Sequence, residues 1–313
     1  MQLITTGFVA PYLVAAAAFP LLARPGEVQL GVSLGICLSI VLSPWLIPAE
    51  HLLLRLLASV SAAMVAVKVI DVVLDARLRT APTWREYLAF LANPFIHVRR
   101  RLPLERQPPW HESLRTLVVG LLGCTVGTAV LFGLFRLDWH GWPFLVEHIC
   151  KVTVFMLTII SGLTALAALW RLGGGSARDY MDRPFSAHTP AEFWRRYNRN
   201  MQQFFWQDIF KATGGLRAPT RTTLLVFALS ALMHELIFSI AIGRVQGYQT
   251  AFFAVQGVAA ALTARIKVRG RTAIVWVAGT LAFNLVSSVL FFASINEVVP
   301  FYARGLPDWL RGW

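Results

Sequence analysis

Met233-His234-Glu235-Leu236-Ile237-Phe238 sits inside an apolar run from Leu224 to Ile242. A run of that length is a candidate to cross a bilayer as a helix. Charged side chains at mid-bilayer depth cost roughly 2.5–3.5 kcal/mol each on insertion scales, and those that occur face a cavity or a partner. An imidazole exchanges its proton near neutral pH. The segment therefore predicts a membrane helix that holds His234 in a reaction chamber within the bilayer.

The rest of the chain agrees with a membrane setting. It is 56% hydrophobic and only 14% charged, with mean hydropathy +0.58, far from the profile of a soluble domain. Apolar runs predict eight spans, near 7–23, 28–47, 52–72, 114–136, 145–171, 221–243, 247–265 and 272–293. The first has no basic leader and is followed by Pro25-Gly26 rather than a small-residue cleavage site, so it reads as a retained helix. The expected fold is an all-α polytopic membrane protein. About eight transmembrane helices and some interfacial amphipathic helices surround an intramembrane chamber, in a single integral domain over 1–313.

Basic residues orient this bundle. Seven arginines lie between Asp75 and His111, nine basic residues between Arg171 and Arg221, and four between Arg265 and Arg271. The opposing loop Leu137–Glu147 has none. The positive-inside rule makes the three basic loops cytoplasmic and both termini external. Topology and anionic headgroups account for the net charge of +13, and nucleic acid is not needed as a partner. Four lysines against many arginines suggest a GC-rich, bacterial source, and hence an inner membrane. Cys37, Cys124 and Cys150 are isolated and read as packing residues, not a disulfide or metal set. Gly31-x-x-x-Gly35 and Gly123-x-x-x-Gly127 fit close helix packing.

Two long loops interrupt the bundle, about 75–113 and 172–220. The first contains Trp84-Arg85-Glu86-Tyr87-Leu88-Ala89-Phe90 and the run Arg99-Arg100-Arg101, and predicts a short interfacial helix before a proline-rich turn. In the second, Thr189-Pro190-Ala191-Glu192 carries the signals of a helix start, with Glu192 completing a capping box. On a helical wheel Phe193, Trp194, Tyr197, Met201, Phe204, Phe205 and Ile209 share one arc, which predicts a continuous amphipathic helix to Phe210. Asn198 and Asp208 intrude on that arc. Asn198 either ties the helix to a neighbour or presents a polar group to the chamber. Asp208 is placed to pair with an arginine of another element. Arg195, Arg196 and Arg199 suit either lipid phosphates or a phosphate-bearing cosubstrate.

His234-Glu235 lacks the second histidine of a zinc motif, since position 238 is Phe, and no G-x-S-x-G element offers a nucleophile. His97, His111, His140, His148 and His188 fall in expected loops or interfaces, leaving His234 as the deep histidine. Ser230 lies four residues before it, where its hydroxyl would orient the imidazole. Glu235 points about 100° away, toward a different partner such as an arginine or a backbone group.

Phe193-Trp194-Arg195-Arg196-Tyr197-Asn198 resembles the F-W-x-R-x-(N/H) element of membrane-bound O-acyltransferases. Ser230-Ala231-Leu232-Met233-His234-Glu235-Leu236-Ile237-Phe238 resembles the H-E-L-x-F segment of the wax-synthase-like branch of that family, and Phe252-Phe253-Ala254-Val255-Gln256-Gly257 its F-F-x-x-Q-G stretch. The likeness covers about 184–269. Tyr197 departs from it, standing where many members have a second Trp.

The resemblance implies His234 as catalytic base and Asn198 as the second polar group of the reaction. Trp194, Arg195, Arg196, Tyr197, Met201, Phe205, Ser230 and Glu235 are then expected around the substrates. It implies acyl-CoA as donor from the cytoplasmic side, a lipophilic alcohol as acceptor, surrounding membrane lipids, and no metal or other cofactor. Two other readings stand beside it. One is transfer of a short acyl group to a sugar or natural-product hydroxyl. The other is a proton-coupled transporter using His234 and Glu235.

Overall fold

The computed structural model describes residues 2–22, 28–78, 82–99 and 107–311. Pro25-Gly26, Arg100 and Arg101 lie outside the described residues, as do Pro103 and Arg106. Eight apolar helices occupy the expected positions: α1 Gln2–Leu22, α2 Val28–Leu42, α3 Leu52–Leu78, α5 Trp110–Arg136, α6 Phe144–Leu172, α9 Pro219–Ile242, α10 Tyr248–Thr263 and α11 Ala273–Val298. Between them stand shorter helices, α4 Trp84–Ala92, α7 Pro190–Arg196 and α8 Arg199–Phe204, with α12 Asp308–Arg311 near the C-terminus. Among the described residues six helices are long and apolar enough to cross a membrane: α1, α3, α5, α6, α9 and α11. α2 and α10 have 15 and 16 residues. At 1.5 Å per residue they reach about 22–24 Å, short of the roughly 30 Å hydrocarbon core.

The chain falls into two compact units, Met1–Pro103 with Leu232–Gln246, and Leu104–Ala231 with Gly247–Trp313. In the first, α1, α2 and α3 pack around Ala15, Leu22, Ile40, Val65 and Val69. α2 turns Ser33, Cys37 and Ile40 inward. Gly31 and Gly35 consequently face outward with nothing close to them among the described residues, so the close packing expected of this pair is not formed.

The interfacial helix expected near Trp84 is α4, started by a full capping box between Thr83 and Glu86 and anchored by Tyr87, whose hydroxyl donates to Ala15 O at 2.9 Å. Its far end is terminated by an ammonium group. Lys68 Nζ donates to Phe90 O at 2.8 Å, Leu91 O at 3.0 Å and Asn93 O at 2.5 Å. A cation satisfying the last carbonyls is favourable both as a hydrogen-bond partner and against the helix dipole. Asp71 accepts from Arg99 N at 2.7 Å and holds the following segment. His97 in that segment is only 1% exposed.

In the second unit α5 and α6 form an antiparallel hairpin built on absent side chains. Gly120 lies against Ala165, Gly123 against Ser161 and Gly127 against Thr158. This is the close approach that small residues permit in a membrane, where dispersion replaces the hydrophobic effect. The rest of α5 faces away, with Val119, Leu122, Val126 and Phe132 each more than 60% exposed, as lipid contact requires.

The first turns of α6 bury an ion pair. Lys151 Nζ donates to Glu147 Oε1 at 2.5 Å and to Phe301 O at 2.8 Å, while Glu147 accepts from Ala303 N at 2.8 Å. Beside it His148 is wholly buried, with Nδ1 2.7 Å from the Tyr302 hydroxyl and Nε2 2.8 Å from Leu285 O. A carbonyl only accepts, so Nε2 carries the proton and Nδ1 accepts from Tyr302. His97 lies in a loop as expected, but the burial of His97 and His148 corrects the expectation that His234 is the deep histidine. Both are more enclosed than His234, which is half-buried.

Gly127→Leu is expected to force α5 and α6 apart at Thr158 and cost about 1–3 kcal/mol, read as a lower thermal midpoint in detergent. Gly31→Leu, at an open position, is expected to leave the midpoint unchanged.

Burial, with the Lys68 ammonium close by, pushes the His97 imidazole down to about 3. An unfolded histidine titrates near 6.5. Between those values the unfolded chain binds the extra proton, so stability is complete above about 6.5 and falls as pH drops toward 3. A thermal midpoint declining between pH 7 and pH 5, with a flatter slope in His97→Gln, is the expected result.

Candidate active site

α7 is launched by Thr189, whose side chain accepts from Glu192 N at 3.2 Å, with Pro190 in the first turn. The expected capping box is only half made. Glu192 Oε2 reaches past Thr189 to accept from His188 N at 2.8 Å and from His188 Nδ1 at 2.9 Å. Burial would raise the Glu192 carboxyl, but these hydrogen bonds and the Arg196 charge outweigh it and hold the group below its usual range. Arg196 is engaged locally, with Nη2 on Glu192 Oε1 at 2.5 Å and Nη1 on Ser186 Oγ at 2.7 Å. Arg195 stays exposed.

The helix does not continue to Phe210 as the wheel suggests. α7 ends at Arg196, and Asn198 adopts a left-handed backbone with φ 43° and ψ 61°. Its Oδ1 accepts from Met201 N at 3.3 Å and so caps a second helix, α8. Asparagine visits this conformation because its short amide bonds the local backbone. The break is fastened on both sides. Asp182 N donates to Arg196 O at 2.9 Å, and Arg199 N donates to Tyr180 O at 2.8 Å. Beyond α8 the chain widens into a π-helical turn, Phe205–Phe210, which includes Asp208. Asn198 Nδ2 has no intramolecular partner among the described residues, and it remains a donor.

Trp194 packs edge-on to Phe227, with centroids 5.4 Å apart at 88°, and lies against Phe253 at 5.8 Å and Tyr197 at 5.5 Å. Its Nε1 donates to Gln256 Oε1 at 2.9 Å. Gln256 is 1% exposed and donates through Nε2 to Ser287 Oγ at 2.8 Å and Asn284 Oδ1 at 3.3 Å. Gly257 lets α10 approach the Phe227 ring closely. Two more bonds dock α7, Ala191 N to Thr263 Oγ1 at 3.2 Å and Thr280 Oγ1 to His188 O at 2.9 Å. The Phe193–Asn198 and Phe252–Gly257 segments, 54 residues apart in sequence at their nearest ends, are therefore one assembly. Tyr197 stacks on Phe193 at 5.3 Å, and burial pushes its hydroxyl up to about 12, so it is a neutral phenol.

His234 and Glu235 lie farther along α9, with the unit that contains Leu232–Gln246. Ser230, one turn before His234, is buried. Glu235 Oε1 accepts from Gln246 N at 2.9 Å, a backbone group in the loop after its own helix. Met201 lies in α8 and Phe205 opens the π-helical turn after it; both are half-buried. Among the described residues no three His, Cys, Asp or Glu side chains gather as a metal set. The residue to which the sequence assigned no role is Gln256; its signals were an uncharged amide in the middle of an apolar helix and its place in the Phe252–Gly257 motif.

A family model described as MBOAT, membrane-bound O-acyltransferase family, matches residues 123–295, more than half of the chain. The matched region runs from the middle of α5 into α11 and includes Asn198, His234 and Gln256. No curated protein matches the sequence.

The left-handed turn makes a specific demand on position 198. Asn198→Leu is expected to cost about 2 kcal/mol, since a branched side chain there meets the following carbonyl and the cap is lost. Asn198→Gly is expected to cost only a few tenths of a kcal/mol. Thermal midpoints of the two variants in detergent check the difference.

Proposed function

The chain belongs to the membrane-bound O-acyltransferase family, and we propose that it moves an acyl group from acyl-CoA to the hydroxyl of a lipophilic alcohol, with His234 as general base. That it is an acyltransferase embedded in a membrane follows from the family and from its six long apolar helices. The donor, the acceptor and the residue roles are the proposal. The observation that carries it is the family match spanning α7, α9 and α10, within which His234 is the half-buried histidine of an apolar span.

The chemistry balances without a covalent enzyme intermediate. Neutral His234 takes the hydroxyl proton as the alcohol oxygen attacks the thioester carbonyl. Charge develops on the carbonyl oxygen, and the Asn198 Nδ2–H donates to it. The tetrahedral centre collapses, the C–S bond breaks, and the thiolate recovers the proton. The products are an ester and free CoA. Each acyl methylene buried in an apolar channel would add about 0.8 kcal/mol of binding. The donor's phosphates suit exposed Arg195 and a groove of about 410 Å³ that Lys211 and Arg217 line together with Trp206 and Phe210.

CoA release by the purified protein in lipid nanodiscs tests this reading. Acetyl-CoA and palmitoyl-CoA are offered against long-chain alcohols, diacylglycerol and a sterol. Release that needs both substrates and drops by about 10²-fold or more in folded His234→Ala is expected. Equal release in His234→Ala, or thioester cleavage without any alcohol, would overturn it.

A further inference from the structure

We infer that Gln256 is a positioning residue for acyl transfer: through Trp194 it fixes α7, and α7 sets the orientation of the Asn198 amide. The inference rests on the reading of Asn198 as the donor to the thioester oxygen.

The orientation of the Gln256 amide is determined by its neighbours. Trp194 Nε1 only donates, so the atom facing it must be Oε1. Ser287 Oγ donates its own proton to Phe283 O at 2.6 Å and thereby offers a lone pair to Gln256 Nε2. Asn284 contributes Oδ1 as the second acceptor. The Gln256 side chain thus uses both amide protons on α11 and its oxygen on α7. In a hydrocarbon setting no water competes for these groups, so a rotated amide would leave them unmet.

The effect reaches Asn198 over four residues. Trp194 cannot turn without losing the Gln256 bond and its seat against Phe227 and Phe253. Tyr197 N donates to Phe193 O at 2.8 Å, so the last turn of α7 moves with Trp194. Asn198 follows directly, its backbone in the left-handed region and its Oδ1 committed to Met201 N. With the oxygen held there, the direction of Nδ2 depends on where α7 ends. Gln256 touches neither reacting group and acts only through this linkage.

Three variants in the nanodisc assay test the inference, using palmitoyl-CoA and hexadecanol or whichever pair releases CoA fastest. Gln256→Met removes the acceptor and keeps the volume. Trp194→Phe removes the donor and keeps an aromatic ring. Each is expected to lower kcat about 10–100-fold, with KM for the acyl-CoA within about twofold and the thermal midpoint within about 4 °C. The double variant is expected to lose no more kcat than the worse single one, because both act through one bond. Additive losses would overturn the inference, as would a loss confined to KM or to the midpoint. Should Gln256→Met misfold, the milder Trp194→Phe carries the same expectation. Asn198→Gly run alongside separates the two levels. If it is inactive while Gln256→Met and Trp194→Phe keep full kcat, the inference fails and the role of Asn198 stands. If it keeps full kcat, the reading of Asn198 fails and the inference falls with it.

Discussion

Hydrocarbon supplies no hydrogen bonds, and every polar group inside these helices must be answered by another part of the chain. The bond between the Trp194 indole and the Gln256 amide is where that constraint organises the most structure. It joins a short helix from a long loop to the apolar helices α10 and α11, and three aromatic rings pack against the indole. The same demand explains Lys68, whose ammonium ends α4 by collecting three carbonyls, and Lys151, whose ammonium answers Glu147 and Phe301 O. Removing either partner of the buried Lys151–Glu147 pair leaves a charge uncompensated, at a cost of about 3–5 kcal/mol.

Around these fixed points the chain holds a backbone conformation that most residues avoid. Asn198 and Arg183 are the described non-glycine residues with positive φ, and the segments that carry them face each other through the Asp182–Arg196 and Tyr180–Arg199 bonds. Backbone in sparsely populated regions persists only where its surroundings over-determine it, and such places concentrate at functional sites. Here the surroundings are α7 before the turn, α8 after it and the Tyr180–Asp182 loop bonded to both sides. The turn gives Asn198 an amide whose oxygen is occupied and whose nitrogen is available to donate.

Much of this was readable in the sequence. Membrane helices announce themselves by length and composition, and the eight runs fall where α1–α3, α5, α6 and α9–α11 stand. The Trp84–Phe90 stretch marked the short helix α4, and Gly123 with Gly127 marked a close contact. The break at Asn198 was not readable. Tyr197 fits a helical wheel as well as its neighbours, Asn198 intrudes on the arc only as a single polar side chain, and one left-handed residue leaves the apolar arc intact on either side. Burial of His97 and His148 was hidden for another reason. Both stand near the ends of spans, where hydropathy marks an interface, yet segments distant in sequence fold over them: Tyr302 and Leu285 on His148. Gly31-x-x-x-Gly35 looked like Gly123-x-x-x-Gly127 because spacing says which residues share a face and not which way that face turns. Gln256 was visible as part of a motif, while its partners on α7 and α11 belong to tertiary structure alone.

The proposed chemistry passes the acyl group directly from thioester to alcohol, with no stop on the protein. The most direct measurement is a rapid-quench reaction of stoichiometric palmitoyl-CoA with the purified protein in the absence of any alcohol, following CoA release and the intact protein mass together. Direct transfer requires an unmodified mass and no CoA released until the alcohol is added. A burst of CoA matching the protein concentration, with the protein heavier by one acyl group, would contradict it.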